Sequence, residues 1–189
     1  MNAPRIAPGN RGEVGAFGWA FSGVAGLVSG TTPPNVFLTM GRHRRLFRGW
    51  LRFAGRLMPG GRLPRRETEL VILRVAHLTG CRYEFDHHVH LGRRAGVTSG
   101  DVERVVEGPD AQGWSPREAA ILSAVDQLHE TGDLDDERWG RLHRFLGERD
   151  LIELVLLVGH YEMLATFIRT MRIQPDTPRR GRLDPRTLG

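Results

Sequence analysis

The stretch that most constrains this 189-residue chain runs from Glu69 to His88. It opens with a carboxylate set into an almost wholly apolar run, Leu70-Val71-Ile72-Leu73, continued by Val75-Ala76. Thr79-Gly80 breaks the run, and the only cysteine of the chain, Cys81, restarts it. Helical periodicity puts Glu69 on one stripe with Ile72, Leu73 and Ala76, so the acid points where core residues point. Past the break, Cys81, Glu84 and His88 stand at i, i+3 and i+7. They form one stripe that Leu91 and Ala95 continue as apolar. Two ionisable groups and a thiol are thus aimed at a core, where charge is costly unless it is paired or used.

Composition narrows the class. The hydrophobic share of 40% and the charged share of 26% fit an ordinary globule with a core of useful size. All 27 basic residues are arginine, yet the formal net charge is only +5. The arginines are scattered, without the dense basic face and interleaved aromatics of a nucleic-acid binder, so no nucleic-acid partner is expected. A lone cysteine allows no intramolecular disulfide and no Cys-x-x-Cys pair, and a cytoplasmic address is expected. The apolar run 14–28 follows Arg5 and Arg11 but carries several glycines and no small-residue cleavage site, so a packing strap is expected there. Segment 151–168 is apolar enough to imitate a membrane span, but Glu153, His160 and Glu162 interrupt it. A core helix is expected, and no membrane partner.

The chain is expected to be all-α, with six or seven helices. Residues 1–34 form an N-terminal lead and strap, 35–173 a single helical domain, and 174–189 a flexible basic tail. Within the strap, a short helix over 14–30 is weakened by its glycines. Asn35 is placed to cap one long helix over 36–58, closed by Pro59-Gly60-Gly61. Leu63-Pro64 opens the next helix and Gly80 ends it; Cys81 begins another, to about Ala95. Thr98 or Ser99 caps a short helix to Glu107. Ser115-Pro116-Arg117-Glu118 is a capped helix start. Further helices are expected over 135–147 and 149–172.

Several residues are candidates for chemistry. Glu84 and His88, four apart, would make either a hydrogen-bonded acid/base pair or an ordinary helix-surface pair. Cys81, at a helix start, would be either a thiolate stabilised by unpaired amides or a small buried residue. His77, His87, His88 and His90 crowd together with Glu84 and Asp86, but His87 and His90 share a different face from Glu84 and His88. No metal-binding pattern appears, so no metal site is expected, and His87 and His90 are expected at the surface. His160 lies on an apolar helix face, as a satisfied core histidine or as a second histidine of the same pocket.

At these residues the chain resembles the carboxymuconolactone decarboxylase family, which includes the AhpD-like alkylhydroperoxidases. Leu63 to Leu73, Cys81 to His88 and Ala95 to Thr98 carry the resemblance, strongest from about Asn35 to Gly108 and looser through Tyr161-Glu162-Met163. It implies an all-α fold, assembly through long helices into a homo-oligomer (trimer or hexamer), sites near subunit interfaces, and no cofactor. The redox members use Glu, Cys-x-x-Cys and His; Glu69, Cys81 and His88 match three of these positions. The second cysteine, which attacks peroxide in those members, falls on Glu84, so two-cysteine chemistry is not available to the chain. The resemblance then implies a cofactor-independent, decarboxylase- or lyase-like enzyme working by general acid/base chemistry on a small organic acid, lactone or carbonyl compound. Its catalytic residues would be Glu69, Cys81, Glu84 and His88, with Tyr83, His160 and Tyr161 against the substrate. The alternatives are a peroxidase (peroxiredoxin activity) using Cys81 with an external reductant, and a non-catalytic helical oligomer or small-ligand binder.

Overall fold

In this computed structural model the described residues, 3–179, form nine helices and no strand. They are α1 (Arg11–Ser29), α2 (Asn35–Met40), α3 (Arg44–Leu57), α4 (Arg65–Leu78), α5 (Arg82–Arg94), α6 (Ser99–Glu107), α7 (Pro116–Thr131), α8 (Asp136–His143) and α9 (Glu148–Met171). The all-α class is as expected; nine helices exceed the six or seven expected, and one of the additional helices arises where the chain breaks inside the segment 36–58, expected as one helix. The break is at Gly41-Arg42-His43. A side chain at Gly41 would sit 2.8 Å from the Phe37 carbonyl oxygen and 3.2 Å from Val14, and Arg42 turns away to bond the Ala7 carbonyl and Glu13. The chain divides into two units, Met1–Arg52 with Ile168–Gly189, and Phe53–Phe167.

In the first unit, α1 begins at a capping box between Asn10 and Glu13. Gly15, with φ +76° and ψ 166°, interrupts the helix with a kink, while Gly18 and Gly26 line its buried face with Val14 and Ser22. A side chain at Gly26 would come within 2.7 Å of the Thr32 carbonyl oxygen, so only glycine lets the following chain pass this close. Phe21, Phe37, Phe47 and Trp50 pack ring against ring, with Phe21 5.3 Å from Phe37 and 5.8 Å from Phe47. Asn35 does not cap α2, which starts after Pro34; its side-chain amide instead donates to the carbonyls of Gln174 and Pro175. Thr32 N donates to Thr177 O, and Arg179 N to Gly30 O. The expected tail over 174–189 lies outside the described residues from position 180 onward.

In the second unit α4 is the hub, touching α5, α6 and α7. Every residue from Glu67 to Ala76 is buried, so the helix is enclosed on all sides rather than along one stripe. Leu70 and Leu73 pack with Val97, Val105 and Leu122, and Phe85, Val89, Val102 and Trp114 close over them. Enclosure forces the charges of α4 into pairs. Arg66 holds Asp101 of α6 through both terminal nitrogens (2.7 and 2.8 Å) and Glu118 of α7 through Nε (2.9 Å). Arg74 grips Asp126 of α7 in the same two-pronged way, and Arg117 of α7 returns the contact to Glu67. The planar guanidinium fork suits this bidentate geometry, which lysine cannot reproduce. α6 and α7 start at the expected caps, Thr98 and Ser115, each with a reciprocal capping box. α9 is long and apolar enough to cross a membrane by length and composition alone. Its Leu151, Leu154, Leu157, Val158, Leu164 and Ala165 are buried, while Ile152, Val155, Leu156 and Met163 form an exposed stripe.

Asp101 accepts from Arg66, Arg104 and Thr98, and these bonds hold its carboxyl well below the usual carboxylate range. Its contribution to stability is therefore present above its unfolded value, about 3.9, and is lost as pH falls below it. Asp101→Ala should lower the unfolding free energy at pH 7 by about 2–3 kcal/mol in urea titrations, and flatten the acid limb of the stability curve.

Candidate active site

Glu69, on the second turn of α4, has zero exposure, and both its oxygens are engaged. Oε1 accepts from Arg65 Nη2 at 2.6 Å, and Oε2 lies 2.7 Å from His88 Nδ1. Arg65 stands one turn before Glu69 with its side chain 39% exposed, so the row Arg65–Glu69–His88 leads from the surface to the interior. A carboxylate accepts, so the imidazole donates from Nδ1, and Nε2 is the nitrogen left for chemistry.

The sequence reaches this geometry through the break. Gly80 adopts φ +65°, a conformation glycine takes without strain, and turns the chain so that α5 packs along α4. Cys81 is the N-cap of α5 and is 1% exposed. Its amide donates to Ala76 O and its carbonyl accepts from Phe85 N. Glu84 and His88 follow on the buried face of α5.

Glu84 does not bond His88, as an i,i+4 pair would; Glu69 takes that nitrogen. The Glu84 side chain is 2% exposed, and neither oxygen has a hydrogen-bond partner among the described residues. Burial alone pushes its carboxyl well above the usual carboxylate range, so it favours the neutral acid. Tyr161 of α9 stands edge-on to the His88 ring at 5.3 Å, and its hydroxyl contacts Met58 Sδ at 3.6 Å. Burial, and then the charges of Glu84 and Glu69, push the phenol well up. His160 packs edge-on to Tyr161 and against Phe53, both at 5.3 Å, and burial lowers it to about 4, so it is neutral at pH 7.

Glu69, His88, Glu84, Tyr161 and His160 are thus assembled around one interior, with Cys81 on the same α5 stripe. Tyr83 is not brought into it: Tyr83 packs edge-on to His87 at 5.9 Å, on another face of α5. His87 and His90 are half-buried rather than at the surface, and His87 is lowered to about 4 by burial and by the neighbouring His88 and His90. Among the described residues no group of three or more His, Cys, Asp or Glu is arranged to hold a metal ion. The i,i+4 spacing of Arg65 to Glu69 is a local signal of this pair, whereas Phe53 and Met58, distant in sequence from His160 and Tyr161, leave none.

The helical arrangement defines the AhpD-like fold. A peroxidase-related protein with an alkylhydroperoxidase AhpD core from Ralstonia eutropha matches with a TM-score of 0.81 at 16% identity, over 93% of each chain. An uncharacterised peroxidase-related protein from Silicibacter sp. matches at 0.79 and 15% identity, over 97% of this chain and 95% of that one. A cysteine-to-alanine variant of the debrominase Bmp8, in complex with 2,3,4-tribromopyrrole, matches at 0.77 and 20% identity, over 92% of each. Residues 44–127 match the family profile of the carboxymuconolactone decarboxylase family. No curated protein matches it by sequence.

A buried carboxyl without partners costs stability, more so once ionised. Because its folded value is raised, the folded state holds the extra proton, and stability falls as pH rises above the unfolded value, about 4.3. Glu84→Leu should therefore raise the unfolding free energy at pH 7 by about 1–3 kcal/mol. Thermal melts at pH 5 and pH 8 should show this gain growing with pH.

Proposed function

We propose that the protein is a cofactor-independent enzyme that performs general acid/base chemistry, decarboxylase- or lyase-like, on a small organic acid, lactone or carbonyl compound. The observation that carries this is the contrast between two interior carboxyls: Glu69 bonded on both oxygens, Glu84 on neither. Glu69, steadied by Arg65, orients His88 so that Nε2 can take a proton from the substrate. Glu84, kept neutral by burial, can deliver a proton to a developing carbanion or carbonyl oxygen. Tyr161 and His160 supply apolar walls with polar edges for a small substrate. We also propose that it works as a homo-oligomer, since the Ile152, Val155, Leu156 and Met163 stripe leaves an apolar helix face open to a second copy.

A second function is favoured by Cys81, whose thiol sits at the N-cap of α5, where helix amides stabilise a thiolate. Its sulfur would attack a hydroperoxide, forming the S–O bond as the O–O bond breaks. The leaving alkoxide would take a proton from Glu84, and an external thiol would reduce the sulfenic acid. The likeness to Bmp8 adds bromopyrroles to the compounds worth assaying.

The two are separable by kinetics. In lactone and β-keto acid assays, His88→Ala and Glu84→Gln should each lower kcat about 10²–10⁴-fold, and Cys81→Ala should leave it near the parent value. Full activity in His88→Ala removes the acid/base assignment; peroxide turnover abolished by Cys81→Ala establishes the thiol chemistry instead.

A further inference from the structure

A cleft of about 440 Å³ lies between α1 and α3 in the first unit, lined by Phe17, Phe21, Leu51, Arg48 and Arg52. It shares no residue with the Glu69–Glu84–His88 group. Its volume falls within the range of small-molecule sites. Phe21 is held against Phe37 and Phe47, which makes that wall rigid. The Arg48 guanidinium lies 5.5 Å over the Phe17 ring. Arg48 and Arg52 are one helical turn apart, and neither forms an ion pair among the described residues. Segment 42–52 contains five arginines and no acid. Of the described carboxylates in this unit, Glu13 is taken by Arg42 and Asp176 accepts from the Asn35 amide. Like charges stacked at i,i+4 repel, and an anion between them relieves that repulsion. A guanidinium pair at the mouth of an apolar slot matches a carboxylate joined to an apolar body.

We propose that this cleft binds a small organic carboxylate with an aryl or alkyl body, its carboxylate on Arg48 and Arg52 and its body against Phe17, Phe21 and Leu51. The full chain should be titrated with 4-phenylbutyrate by calorimetry, and the site located by amide chemical shifts. Shifts should centre on Phe17, Phe21 and Leu51. The uncharged 4-phenylbutanol should bind at least tenfold more weakly. The Arg48→Gln, Arg52→Gln double variant should lose at least tenfold in affinity while its melting temperature holds. Equal binding of the alcohol, equal binding by the double variant, or shifts centred elsewhere would overturn the proposal. So would no binding to the parent protein accompanied by either of two results: dissociation of a larger species by Phe17→Ser in sedimentation, which assigns the cleft to a second copy, or arginine-dependent co-sedimentation with phosphatidylglycerol vesicles, which assigns it to a lipid surface.

Discussion

A carboxylate with no exposure is stable only when each oxygen is occupied, and Glu69 meets that demand from two directions. Arg65 reaches one oxygen from the same helix. His88 reaches the other from α5, nineteen positions on. The second contact sets the register of α5 on α4, because His88 can meet Glu69 only if the chain reverses near Gly80. The left-handed φ of Gly80 and the capping position of Cys81 follow from that reversal. The same enclosure accounts for the arginine–carboxylate pairs between α4, α6 and α7. A helix buried around its whole circumference cannot send a charge to water, so each charge finds a fork-shaped partner.

The interior keeps two carboxyls under opposite conditions. Glu69 accepts a hydrogen bond on each oxygen; Glu84, one turn before His88, accepts none and is driven toward its neutral form. A fold selected for stability alone would fill the Glu84 position with an apolar side chain. Retaining an acid there gives the interior a proton donor beside an oriented imidazole, with Tyr161 and the neutral His160 against them.

Much of this was legible in the residues. Periodicity marked Glu69, Glu84 and His88 as inward-facing, because a helix repeats its faces whatever lies around it. The caps at Thr98 and Ser115 were visible because a capping box closes within four residues. Asn35 misled because a cap-forming residue can serve a distant partner equally well, here the carbonyls of Gln174 and Pro175. The break at Gly41 was hidden because it depends on how closely Val14 approaches, and of the α1 glycines that read as weakness, Gly15 does interrupt the helix while Gly18 and Gly26 serve close packing.

By itself the sequence determined the all-α class and the buried polar stripe, both consequences of residue type and local spacing. Only the tertiary structure decided which acid holds the histidine. The i,i+4 spacing offered His88 to Glu84, and the packing of α5 on α4 gave it to Glu69, because a fully enclosed carboxylate with a guanidinium on one oxygen still needs a donor for the other. That choice left Glu84 without a partner and set its protonation by its surroundings, which no local spacing records.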